Sequence, residues 1–255
     1  MTNTSSGPSL PRFHDAGESA LVVEFGTIVD PAVSDRVLAL DERLSGLSLP
    51  GMRELVPTYR SLLIHYDPMV LSRQTLCDAV TEAISSLADR PRPAGGRQWV
   101  LPCCYEGHFA EDLDEVAGIA GLSRQQVVTA HSSARYRIYM YGFAPAYCYL
   151  GGLAESLQIP RRKKPRPPHA PGAVLIGGGL ASITTFAMPT GWYVVGRTPV
   201  KLYDPRRTDP FPLRPGDGVR FRPIPSEEFQ DLLDRANNTA ADSIGLEVEG
   251  AEAKI

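Results

Sequence analysis

The chain has 255 residues, 43% hydrophobic and 22% charged, with a formal net charge of −3 at pH 7. That composition is globular and allows one large domain or two small ones. The slight acidity argues against a nucleic-acid partner, which calls for a basic surface. No apolar run approaches the roughly 20 residues that span a bilayer, so no membrane partner is expected. Residues 1–11 are polar and rich in Ser, Gly and Pro, without the basic start and apolar core of a signal peptide. They read as a disordered arm on a cytoplasmic protein. Cys77, Cys103, Cys104 and Cys148 show no CxxC spacing and the histidines are scattered, so no metal site is expected. The thiols read as reduced, packed groups.

In chain order, Ala20–Phe25 reads as a strand. Asp30 and Pro31 open a helix as N-cap and first-turn proline, and Val33, Val37, Leu38, Leu40 and Leu44 follow at helical spacing. Arg53–Tyr59 and Ser61–Tyr66 read as strands and Ser72–Leu87 as a second helix. The order β-α-β-β-α over residues 12–90 is close to a ferredoxin-like unit. Residues 91–97, inside a Pro- and Gly-rich stretch that begins at Asp89, read as a linker. A second domain, 98–225, then begins with a strand at Trp99–Tyr105, whose adjacent Cys103 and Cys104 point to opposite faces. Helices follow at Asp112–Ala120 and at Ser123–Ser132, with Ser123 as N-cap. Beyond them, short apolar runs at Tyr136–Tyr141, Ala173–Ile176, Trp192–Gly196 and Val219–Pro223 point to a β-barrel or sandwich. Residues 226–255 read as a helix, Ser226–Ala236, and a frayed tail.

Four phrases carry a resemblance. They are the segment Pro57–Pro68 (PTYRSLLIHYDP), the segment Tyr139–Leu153 (YMYGFAPAYCYLGGL), the segment Gly191–Pro199 (GWYVVGRTP) and the segment Leu213–Asp217 (LRPGD). Together, in this order, they resemble the signatures of the family that holds the 5-oxoprolinase B-type subunits and the small (first) subunits of allophanate hydrolase. The resemblance implies an α+β, ferredoxin-like N-terminal domain followed by a cyclophilin-like β-barrel domain. It implies one component of an ATP-dependent amide or lactam hydrolase, with a C-type and possibly an A-type partner subunit and a small carboxylate or amide substrate. It also admits a diverged enzyme acting on another small molecule, or a Kip-type inhibitor of a histidine kinase. ATP would be used by the complex, since this chain has no Walker loop.

The candidate site gathers around these phrases. The turn Gly142-Phe143-Ala144-Pro145 either closes a barrel or offers backbone N–H groups to an oxyanion. Tyr139, Tyr141, Tyr147 and Tyr149 alternate, and in one extended segment they would share a face that lines a pocket or fills the barrel. His131, which resembles a frequent family histidine, is the candidate base; otherwise it ends a helix. Arg166, at the end of the basic run Arg161–Arg166, would hold an anion. Gly177, Gly178 and Gly179 would allow close backbone approach. Arg197 either pairs with Asp217 or faces ligand. The expected pocket is one concavity rimmed by Tyr141 to Pro145, Arg166, Gly177 to Gly179 and Arg197. Leu180 and Ala181 stand where the family commonly has a Gln-Thr pair, and would make it less polar. Cys148 as a nucleophile has no identifiable activating base.

Overall fold

The computed structural model describes residues 11–87, 96–238 and 247–248, which fall into two compact units divided between Ala94 and Gly95. Most of the expected linker, 91–97, lies outside the described residues, as do nearly all of the N-terminal arm and most of the C-terminal tail.

The first unit runs β1 (Arg12–Asp15), β2 (Ala20–Glu24), α1 (Pro31–Ser45), β3 (Met52–Pro57), β4 (Ser61–Tyr66) and α2 (Arg73–Leu87). Its sheet has the order β1-β2-β4-β3 and every pairing is antiparallel. The Asp30 carboxylate accepts from the backbone N–H groups of Ala32 (2.8 Å) and Val33 (3.2 Å), which starts α1 as expected. Leu21 and Val23 of β2, Leu62 and Ile64 of β4, and the apolar stripes of the two helices (Val37, Leu40, Leu44; Leu76, Val80, Ala83) form one buried core. β1 was not expected as a separate strand. It is mostly exposed and has no apolar alternation, and it exists by pairing along β2 from Arg12 opposite Glu24 to Asp15 opposite Leu21.

The second unit contains β5 (Gln98–Cys104), α3 (Leu113–Ala120), α4 (Arg124–Ser133), β6 (Tyr136–Gly142), β7 (Ala144–Gly151), β8 (Arg166–His169), β9 (Ala173–Gly177), β10 (Leu180–Ile183), β11 (Met188–Thr190), β12 (Tyr193–Arg197), β13 (Gly218–Ile224), α5 (Ser226–Asn238) and β14 (Glu247–Val248). The order β12-β9-β10-β7-β6-β13-β5 closes through Arg197 of β12 opposite Cys104 of β5. The result is a seven-stranded barrel, with β8 and β11 as a separate ribbon and β14 paired to β5. Residues on the inward faces, among them Leu101, Cys103, Ile138, Leu150, Val174, Ile176, Val195 and Phe221, fill the interior.

β5 is buried on both faces, so it reads as a near-continuous apolar run. Cys103 joins the barrel core, whereas Cys104 packs with Phe109, Ile224 and Phe229 beneath α5. Ser123 and Gln126 form a reciprocal capping box at α4. No helix among the described residues is long and apolar enough to cross a membrane.

Candidate functional site

The β6–β7 hairpin turns on a single residue, Phe143, at φ +67° and 75% exposed. The register passes from Tyr141 opposite Cys148 to Gly142 opposite Ala144, so residues 145–147 bulge from β7. The bulge is pinned from outside: Thr185 Oγ1 donates to the Pro145 carbonyl (2.8 Å) and Ser182 Oγ to that of Cys148 (2.8 Å). It also separates the tyrosines that alternation in one extended segment would place together. Tyr147 and Tyr149 face outward in contact with each other, while the Tyr141 hydroxyl donates to the Leu213 carbonyl and its ring packs on Phe211.

Beside the bulge runs an aromatic chain. Phe143 contacts Tyr147 (ring centroids 5.6 Å apart), Tyr147 contacts Tyr149 (5.2 Å) and Tyr149 contacts Trp192 (6.1 Å), each edge to face. The Arg161 guanidinium lies 5.7 Å from the Trp192 ring centroid. These groups, with Thr190 and Met188 of β11, line a groove of about 230 Å³. The lining residues include no Asp, Glu, His, Cys or Lys.

The basic run is anchored rather than free. Arg162 N–H donates to the Gly191 carbonyl (2.8 Å), and just before the run the Ile159 carbonyl accepts from Gly178 N–H (2.9 Å). Arg162 stacks over Tyr193 and donates to Asp112 (2.8 Å) and Glu115 (2.5 Å). Arg166 pairs with the same Asp112 oxygen (2.5 Å) and, at 3.4 Å, with Glu115. Asp112 is fully buried, and its other oxygen accepts from the Val194 backbone N–H (2.8 Å). Arg166 is thus paired with a buried carboxylate and is not among the residues that line the groove. Asp112 was missed because Asp before an apolar helix reads as a local cap, and its side chain makes no cap hydrogen bond at α3.

The glycines also have structural causes. Gly178 (φ +62°) and Gly179 (φ +80°) form the two-residue β9–β10 turn, where both positions require positive φ. A strand follows, not a helix N-terminus, so the turn does not fit a phosphate cradle for ATP. At Gly177 a Cβ would come within 3.1 Å of the Trp192 ring. Leu180 packs against the buried patch that holds Trp192, Ala181 belongs to the barrel core, and neither lines the groove. Asp217 is held by Trp99 Nε1 (2.8 Å) and the backbone N–H groups of Arg97 and Arg214 (2.9 Å each), not by Arg197. Arg197 opens on a different cavity, so the expected single rim is divided.

His131 is also placed otherwise than expected. It is fully buried among the rings of Tyr105, Tyr136 and Phe221, and its Nδ1 shares a hydrogen bond with the Tyr105 hydroxyl (2.8 Å). Burial lowers its pKa to about 3. It is a neutral core histidine, far from the range of a base poised for neutral pH. Because the folded-state value lies below the ordinary 6.5, the unfolded chain takes up a proton that the folded chain refuses. The associated stability is complete above pH 6.5 and is lost as pH falls from there toward 3, at about 1.4 kcal/mol per pH unit. Urea unfolding at a series of pH values should show this slope between pH 6 and 5, and His131→Phe should remove it. An unchanged slope in the variant would place the proton uptake elsewhere.

Cys148 is fully buried, and burial pushes its thiol pKa up, so it is not an activated nucleophile. A larger cavity of about 700 Å³ lies against α4 and the end of β13, and none of the expected site residues lines it.

Residues 11–213 match the carboxyltransferase domain family, subdomain C and D. The 5-oxoprolinase B-type subunit of Bacillus subtilis (strain 168) is 32% identical over 236 residues, covering 89% of this chain and 98% of that protein. The solved structure of TTHA0988 superposes with a TM-score of 0.72 at 36% identity over 80% of this chain, which spans only 40% of that one. The K. lactis urea amidolyase structure shares the fold, with a TM-score of 0.77 at 21% identity, covering 97% of this chain and 17% of the other. The chain belongs to the carboxyltransferase domain family, subdomain C and D, and its curated relatives there include 5-oxoprolinase B-type subunits.

Proposed function

We propose that the chain is the substrate-binding component of an ATP-dependent amide or lactam hydrolase of the 5-oxoprolinase type, completed by a C-type and possibly an A-type subunit in the cytoplasm. One observation carries this reading. The groove takes its aromatic walls from the family phrases and carries the Arg161 guanidinium, but none of its lining residues is a carboxylate, imidazole, thiol or amine that would do acid–base or nucleophilic work. It is built to hold a flat, anionic amide while a partner supplies the chemistry and the nucleotide site. A lactam ring would lie against Tyr149 and Trp192 with its carboxylate toward Arg161.

The same reading takes the first unit as ferredoxin-like, since β4 lies between β2 and β3 with the helices in the β2-α1-β3-β4-α2 order. It takes the barrel as cyclophilin-like and residues 91–97 as the linker. Leu180 and Ala181 lie outside the groove lining, so they give no support to a changed substrate. Calorimetric titration of 5-oxoproline into the assembled enzyme tests the groove. Arg161→Ala, at an exposed side chain, should weaken binding roughly tenfold or more, the loss of a charge-assisted contact. Equal affinities of wild type and variant would remove Arg161 from the site.

A further inference from the structure

Arg197 opens on a cavity of about 370 Å³ that shares no lining residue with the aromatic groove. Its walls come from the turn before β9 (Pro171, Gly172), Thr184 and Thr185 after β10, the segment Thr198–Tyr203 after β12, and Leu233 and Asn237 of α5. Gly172 (φ +82°) is required here, because a Cβ would fall 2.2 Å from the Thr198 carbonyl oxygen. That close approach holds two walls together, as does the hydrogen bond from Thr198 N–H to the Gly172 carbonyl (2.9 Å).

The lining carries two cations and no carboxylate. Arg197 is fixed at two points: Nε donates to the Pro171 carbonyl (2.9 Å), and its guanidinium carbon lies 5.6 Å from the Phe229 ring centroid. Among the described residues neither its Nη groups nor the Lys201 ammonium has an acidic partner. Lys201 gives one N–H to the Ala236 carbonyl near the end of α5 (3.2 Å), which leaves two. Thr184 and Thr185 spend their hydroxyl protons on the carbonyls of Ala170 and Pro145. Thr198 Oγ1 accepts from the Val200 N–H (3.2 Å), so its own proton remains to donate. Burial lowers the Arg197 pKa, the mark of a guanidinium desolvated without a carboxylate to offset it.

We propose that this cavity binds a small oxyanion, the phosphate or carboxylate end of a metabolite, between Arg197, Lys201 and the Thr198 hydroxyl. The uncommitted cationic and hydroxyl groups donate, two of them carry charge, and the Arg fork suits a planar or tetrahedral oxyanion. The site does not depend on the reading of the aromatic groove. The test is calorimetric titration of the full chain with inorganic phosphate and with acetate, against chloride at matched ionic strength. Saturable binding of phosphate or acetate is expected, weakened at least about tenfold in Arg197→Gln and in Lys201→Met. The second variant keeps the alkyl stem and so the packing. Stronger phosphate binding assigns a phosphorylated ligand, and stronger acetate binding a carboxylate. A response no larger than that to chloride, or equal binding by both folded variants and wild type, would overturn the proposal.

Discussion

Asp112→Ala is expected to cost about 3–5 kcal/mol of stability, the loss typical of removing one partner from a buried ion pair. The carboxylate is fully buried and serves three groups: the Val194 backbone N–H, Arg162 and Arg166. Its removal leaves the N–H unsatisfied inside the barrel wall and a largely buried Arg162 guanidinium with only the half-exposed Glu115. The basic run would then lose its side-chain anchor, and Arg161 its fixed position over Trp192. Urea unfolding measures the first effect, and the 5-oxoproline affinity of the assembled enzyme measures the second. Asp112→Asn, which keeps an acceptor for Val194, should cost less than Asp112→Ala. A loss below about 1 kcal/mol in Asp112→Ala would mean that the barrel and the loop hold without this carboxylate.

Asp112 also shows where reading the sequence stops. Its partners Arg162 and Val194 lie 50 and 82 positions away, and nothing near it in the chain signals them. What was legible was local or periodic. Asp30-Pro31 and Ser123 announced helix starts through chemistry completed within four residues. The stripe of α1 names most of its own buried residues, Val37, Leu38, Leu40 and Leu44. The unlike faces of Cys103 and Cys104 followed from strand geometry alone.

The misreadings share a cause. The turn at Gly142–Pro145 is legible, but the bulge that follows it is not, so the alternation of the four tyrosines wrongly suggests one shared face. The glycines at 177–179 were visible but ambiguous: close approach to a ligand, a tight hairpin turn and packing under Trp192 all select the same residue. Neither the surroundings of His131 nor the ion pair of Arg166 is written in the nearby sequence. Arg166 pairs with Asp112 and His131 is sealed among aromatic rings. The family phrases fall on β6, β7 and β12, but which side chain faces which cavity is set by strand register, which composition does not encode.

On the proposed function, this chain binds substrate and its partner subunits supply the chemistry. The direct measurement is ATP hydrolysis by the purified chain, by its C-type partner (with an A-type partner where one is encoded), and by the reconstituted mixture, each with and without 5-oxoproline or allophanate. The chain alone should show negligible turnover. The mixture should form a stable complex whose ATP hydrolysis depends on one of the two substrates and falls when Arg161 is replaced by Ala. Robust ATP hydrolysis by the pure chain, or a reconstituted complex whose turnover is indifferent to both substrates, would contradict it.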